Sequence, residues 1–282
     1  AAIGVVSASA KFARANATEL SMRHCAFHHI VVAEFLAGAL LFVTPANAQL
    51  SRDWMVCTGK VQAQPDQQVA ACTAIIEAGQ ETPTNMAAAY CARGVSFHAR
   101  NQLNRAIADY DEAVKIGPKS PTGYQCRGYG KFARGAFDEA ISDFNDAIAL
   151  DPDSASFLAR GRAYRAKGDL GRAIADYDEA LRLDPNNAMA FNNRAVALLQ
   201  RQDYGRAIED LGNAIRLSPS FSEAFVNRGL AYAYLKDHDR AIADFTEAIR
   251  LDPKNAGAFT NRGVAYEEKG ERARASRIYA RQ

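Results

Sequence analysis

Five cysteines, five histidines and 32 carboxylates are the groups in this chain that could carry chemistry. Cys25, Cys57, Cys72, Cys91 and Cys126 form no C-x-x-C pair, and no Cys/His cluster has the spacing of a zinc site. His98 and His238 stand far apart and read as surface residues rather than a metal pair. No GxxxxGK[ST] or GxGxxG loop is present to cradle phosphate, and no serine sits on a G-x-S-x-G elbow. The sequence therefore assigns no catalytic residue, no metal and no cofactor, and the chain reads as a non-enzyme.

The charged groups show an order of a different kind. Arg93, Arg127, Arg160, Arg194, Arg228 and Arg262 recur at a near-constant interval. Sixteen residues beyond the first five stand Asp109, Asp143, Asp176, Asp210 and Asp244. Opposite charges at constant spacing predict an Arg–Asp ladder, a role that suits the forked guanidinium better than a lysine. The ladder reads as framework, with anionic-ligand binding as the competing use.

Those charges sit inside a repeat. Pro118, Pro152, Pro185, Pro219 and Pro253 close successive units of nearly equal length, a period that marks a stack of helical hairpins rather than one globular core. In the unit from Ala188 the spacing predicts helices over about 190–201 and 204–217, with Asp203 capping the second. Lys167-Gly168-Asp169 makes the same turn one unit earlier, with Gly168 ending the first helix. Small residues recur at Gly94, Gly128, Gly161, Ala195, Gly229 and Gly263, and at Ala106, Ala140, Ala173, Ala207 and Ala241. Large ones recur at Tyr90, Tyr124, Phe157, Phe191, Phe225 and Phe259, and at Tyr110, Phe144, Tyr177, Leu211 and Phe245. Small against large at matched depth is what interlocking hairpins need.

At these residues the chain resembles the tetratricopeptide repeat (TPR) family. The match covers units 87–120, 121–153, 154–187, 188–221 and 222–255, and a partial sixth over 256–282. Lys131 and Leu198 depart from an aromatic position, and the second unit is one residue short. The resemblance implies an all-α, right-handed superhelical solenoid of antiparallel helix hairpins, whose first helices line a concave groove that receives a peptide or extended chain. One row of that groove reads Cys91, Gln125, Leu158, Asn192, Val226 and Thr260. None is basic, which argues against the carboxylate clamp used by part of the family. The adjacent row ends in Asn193, Asn227 and Asn261, which resemble the asparagine ladder that some members use to hold a peptide backbone. An amide both donates and accepts, so it can match a peptide group whatever the side chain. Asn192, Asn193, Asn227 and Asn261 are the candidate peptide-binding residues; solvated polar filler is the bland alternative.

Two segments precede the repeats. Residues 1–21 carry no assignable pattern. Residues 22–48 show a short basic stretch, an apolar run from Ile30 to Val43 and Ala46-Asn47-Ala48, the layout of a secretory signal cleaved near Ala48. The apolar run is short of the ~20 residues that span a bilayer, and Glu34 interrupts it, which argues against an uncleaved anchor. Residues 49–86 read as a degenerate hairpin capping the stack, with Asp66 as N-cap and Gly79 as stop. Cys57 and Cys72 fall on its two arms and, in an exported protein, are the expected disulfide. Cys91 and Cys126 lie in neighbouring rows of adjacent units, where a second disulfide is a weaker expectation.

The formal charge of +2 gives no drive toward nucleic acid or anionic lipid. The sequence thus points to a periplasmic or secreted, non-catalytic scaffold that binds a protein or peptide and meets a membrane only through its signal segment. Assembly by end-to-end or homo-oligomeric stacking is the alternative; an enzyme with no recognisable motif is a distant third.

Overall fold

The computed structural model describes the backbone of residues 52–279 and the side chains of 52–276. The extension, the signal segment and Cys25 lie outside the described residues. Among those described there is no strand. The helices are α1 (52–57), α2 (Pro65–Ala78), α3 (Pro83–Ala99), α4 (Leu103–Ile116), α5 (Pro121–Arg134), α6 (Phe137–Leu150), α7 (Ser154–Ala166), α8 (Leu170–Leu183), α9 (Ala188–Gln200), α10 (Tyr204–Leu217), α11 (Ser222–Tyr234), α12 (His238–Leu251), α13 (Ala256–Glu268) and α14 (Arg272–Tyr279). None is long and apolar enough to cross a membrane. The chain divides into two compact units between Ala159 and Arg160, inside α7.

Local sequence explains where the helices start and stop. Asp169, Asn187, Asp203, Asp237 and Asn255 each accept the backbone N–H three residues on, which satisfies a donor the helix start leaves open. The turns between paired helices need one left-handed residue. Gly135, Gly168 and Gly270 supply it, but Asn101, Gln202 and Lys236 adopt it at φ 60 to 63°. Asp66 does not cap α2. Pro65 starts that helix with its fixed φ and missing N–H, so Gln64 becomes the N-cap and Asp66 moves into the first turn, where it pairs with Arg100. Gly79 ends α2 at φ 62°. In the first repeat the helix begins at Pro83, four residues before the repeat frame, because Thr82 caps it through the Asn85 amide.

In the unit covering 52–159, α1 and α2 form a hairpin whose Cys57 and Cys72 lie at disulfide distance, with Cα atoms 4.8 Å apart. Closing the 15-residue separation stabilises by ~3 kcal/mol in the chain-entropy account. Both sulfurs are fully buried with Ala71, Ile75, Ala89 and Ala92, so the hairpin covers the apolar side of α3. Beyond it α3 packs on α4 and α5 on α6. The packing is close: a Cβ built on Gly94 would stand 2.4 Å from the Tyr110 ring, and one on Gly128 2.7 Å from Phe144.

The unit covering 160–279 repeats this arrangement. Gly161 faces Tyr177 and Gly229 faces Phe245 at equally short range. Between them the pair is Ala195 and Leu211, both fully buried. The extra methyl appears only where the opposing ring is replaced by a smaller side chain, so the two positions share one volume.

Candidate binding face on the first helices

The arginine ladder is built from first-helix residues reaching second-helix carboxylates. Nε and Nη2 of Arg93, Arg127, Arg160, Arg194 and Arg228 each donate to Asp109, Asp143, Asp176, Asp210 and Asp244 at 2.6–3.1 Å. These aspartates are only 2–6% exposed, so each fork neutralises a charge that the packing has taken out of water. The hydrogen bonds to aspartate raise the pKa of all five guanidinium groups. Burial pushes the Asp176 carboxyl up, against the opposing pull of Arg160. Four ladder arginines, and Arg262, also lie over an aromatic ring three residues back, at 5.4–5.8 Å from its centroid. Arg262 has no aspartate sixteen residues on; it donates to Thr246 instead.

The ladder has a second rail that sequence reasoning missed. The Nη1 atoms of Arg127 and Arg194 reach Asp111 and Asp178, on the second helix of the preceding hairpin. The signal was the Asp-x-Asp spacing at Asp109/Asp111 and Asp176/Asp178. At the corresponding place below Arg228 stands Gly212. Lys131 also joins the ladder: its Nζ lies 2.8 Å from Asp143, so the departure from an aromatic there adds a second cation to a buried carboxylate.

The asparagines lie on α9, α11 and α13, in the unit covering 160–279. They are not three equivalent amides. Asn193 donates to the Met189 carbonyl of its own helix at 2.8 Å. Asn227 donates to Asn192 Oδ1 at 2.9 Å, which ties neighbouring first helices. Asn261 is buried and makes no side-chain hydrogen bond among the described residues. The half-buried face is therefore left with the Asn192 amide nitrogen as donor and the Asn193 and Asn227 side-chain oxygens as acceptors.

Comparison with known proteins agrees with this geometry. A family profile described as "TPR repeat" matches residues 161–200, and one described as "Tetratricopeptide repeat" matches 222–255. The chain contains tetratricopeptide repeats. A solved structure of the MamA protein is similar at 29% identity and TM-score 0.52, over 57% of this chain and 88% of that one. A tetratricopeptide repeat protein from Parabacteroides merdae ATCC 43184 is similar at 19% identity and TM-score 0.63, over 83% and 90%. YrrB, titled "a TPR protein with an unusual peptide-binding site", is similar at 22% identity and TM-score 0.50, over 66% and 94%. The last two show the fold alone. Among curated proteins no relative matches the chain.

Other features of the TPR face differ from the sequence reading. His98 and His238 are half-buried rather than surface residues; His238 Nδ1 lies 3.7 Å from Glu268. No group of three potential metal ligands occurs among the described residues. Arg162 takes a first-helix position held in the other repeats by Val95, Tyr129, Val196, Leu230 and Val264, and is 5% exposed. Both Arg162 and Arg165 act on the buried Tyr177 phenol, holding down a pKa that burial raises. That substitution was visible in the aligned repeats.

Proposed function

We propose that this TPR array binds a protein or peptide in extended form on the first-helix face of residues 160–279, and that it does so without catalysing a reaction. The observation that carries the reading is the asparagine arrangement. Asn192 offers amide donors while Asn193 and Asn227 offer carbonyl acceptors, and the internal bonds from Asn193 and Asn227 hold those groups in place. A donor beside acceptors is complementary to the alternating C=O and N–H of an extended backbone. Fixing the amides beforehand lowers the ordering cost of binding. The ladder arginines are already engaged by buried aspartates, which favours a framework role for them over ligand capture.

The same reading places the protein outside the cytoplasm, in a periplasm or extracellular space. The signal-like pattern over 22–48 and the Cys57–Cys72 pair support it, since disulfides persist in oxidising compartments. Mature-chain sequencing of exported protein tests that part; the reading requires a start near Gln49.

The binding reading is tested by selecting extended peptides from a displayed random library and titrating the winners against the wild-type array and an Asn192→Ala/Asn193→Ala/Asn227→Ala variant. The expected result is affinity for the wild type and a loss of tenfold or more in a variant that keeps its helical signal, about 1.4 kcal/mol per decade. Equal affinity of both proteins would remove the asparagines from the site.

A further inference from the structure

Cys91 and Cys126 are both free and buried, 2% and 6% exposed, in one apolar cluster with Tyr110. They come from the first helices of the first two repeats, α3 and α5, whose Cα atoms approach within 8 Å. Cys91 Sγ lies 3.5 Å from the carbonyl oxygen of Thr122. In a helix that carbonyl accepts the N–H of the residue four further on, which here is Cys126. The Cys91 sulfur therefore rests against the turn that carries Cys126. Beside them the Tyr110 hydroxyl is buried without a partner. The Tyr110 ring packs in the same cluster as both cysteines, and its pKa is raised by burial and further by them. No other repeat carries a cysteine in either row.

We infer that Cys91 and Cys126 form an oxidisable pair, separate from Cys57–Cys72, whose disulfide staples α3 to α5. The oxidant is a low-molecular-weight disulfide. One protein thiolate attacks it, a mixed disulfide forms and one small thiolate leaves. The second protein thiolate attacks the protein-bound sulfur of that mixed disulfide, closing the Cys91–Cys126 bond and expelling the second small thiolate. The two protons lost by the cysteines end on the two released thiols. Two cysteines are oxidised and one small disulfide is reduced. The link encloses one repeat and fixes the spacing of the two first helices.

The neighbouring Cys91 and burial both push the Cys126 thiol up and keep it protonated, so the closed array reacts slowly and local opening or higher pH speeds the reaction. The test uses the full chain with glutathione disulfide at mildly alkaline pH in sub-denaturing urea. The reaction is quenched with acid, and the protein is digested and mapped by mass spectrometry without reduction. The expected product is a Cys91–Cys126 peptide pair lighter by two hydrogens, with Cys57–Cys72 retained. Free thiols at both positions, stable glutathione adducts on both, or linkage of either to Cys25, Cys57 or Cys72 would overturn the inference. In Cys91→Ser the resolving thiol is gone, so Cys126 should stop at the glutathione adduct. If that variant does not fold, the wild-type map decides alone. The oxidised wild type should also unfold at higher urea than the same protein with only Cys57–Cys72 closed; an unchanged midpoint would overturn the stapling.

Discussion

Arg194 is the ladder rung whose removal has the most readable consequence. It donates to Asp210 at 2.8 and 2.6 Å and to Asp178 at 2.7 Å, and lies over Phe191. Arg194→Met keeps an apolar stem and deletes the charge. Asp210, 5% exposed, then holds a carboxylate with no cation beside it. Breaking a fully buried pair from one side costs about 3–5 kcal/mol, but the Arg194 side chain is 20% exposed and water can enter, so about 2–3 kcal/mol is the expected loss. Asp178 is half-exposed and accounts for less than about 1 kcal/mol of it. Arg194→Met/Asp210→Leu removes both charges and should return to within about 1 kcal/mol of the wild type, because an apolar pair needs no neutralisation. The assay is urea unfolding of wild type, both single variants and the double, followed by far-UV circular dichroism. Because repeat arrays can unfold in steps, the curves are fitted with a nearest-neighbour model. A loss below about 0.5 kcal/mol for Arg194→Met, or a double variant equal to the sum of the singles, would refute the ladder as charge neutralisation.

Three further outcomes follow from the packing and the caps. Gly229→Ala places a methyl 2.6 Å from the Phe245 ring and should cost about 1–3 kcal/mol by thermal unfolding; adding Phe245→Leu should recover most of it, as Ala195 and Leu211 already coexist. Gly212→Asp meets open space and supplies the carboxylate missing below Arg228, so it should stabilise by about 0.5–1.5 kcal/mol, more than Gly212→Ala does. Asp169 is held below the usual carboxylate range by the Arg172 amide and guanidinium, and Asp237 by the Arg240 guanidinium and amide. A depressed carboxylate contributes stability that is present above its unfolded value of about 4 and is lost as pH falls through the folded value. Asp169→Asn/Asp237→Asn keeps the caps and removes the titration, so its acid unfolding curve should fall less steeply below that pH. Asp176, raised by burial, works in the opposite direction in both proteins and cancels in the comparison.

The period was legible because each hairpin must repeat the same small-against-large contact. Gly94, Gly128, Gly161 and Gly229 each meet an aromatic ring, and that constraint is written directly in residue type. The Arg–Asp spacing was legible for the same reason, since both partners belong to one hairpin. What was harder to read joins neighbouring hairpins. The Asn227–Asn192 bond links different rows of adjacent first helices, and its geometry depends on how one hairpin sits on the next. Asn193 looked like a groove residue by register, yet its amide nitrogen is taken up by its own helix at Met189. The start of α2 was misread because a good cap at Asp66 competed with Pro65, and the proline's fixed φ decided the boundary.

The most direct test of the binding face is the nuclear magnetic resonance signal of the asparagine side-chain NH2 groups, with and without a selected peptide. The account predicts that the Asn192, Asn193 and Asn227 resonances shift on binding, while those of second-helix residues such as Asn213 do not. Shifts confined to second-helix residues, with these three amides unmoved, would contradict it.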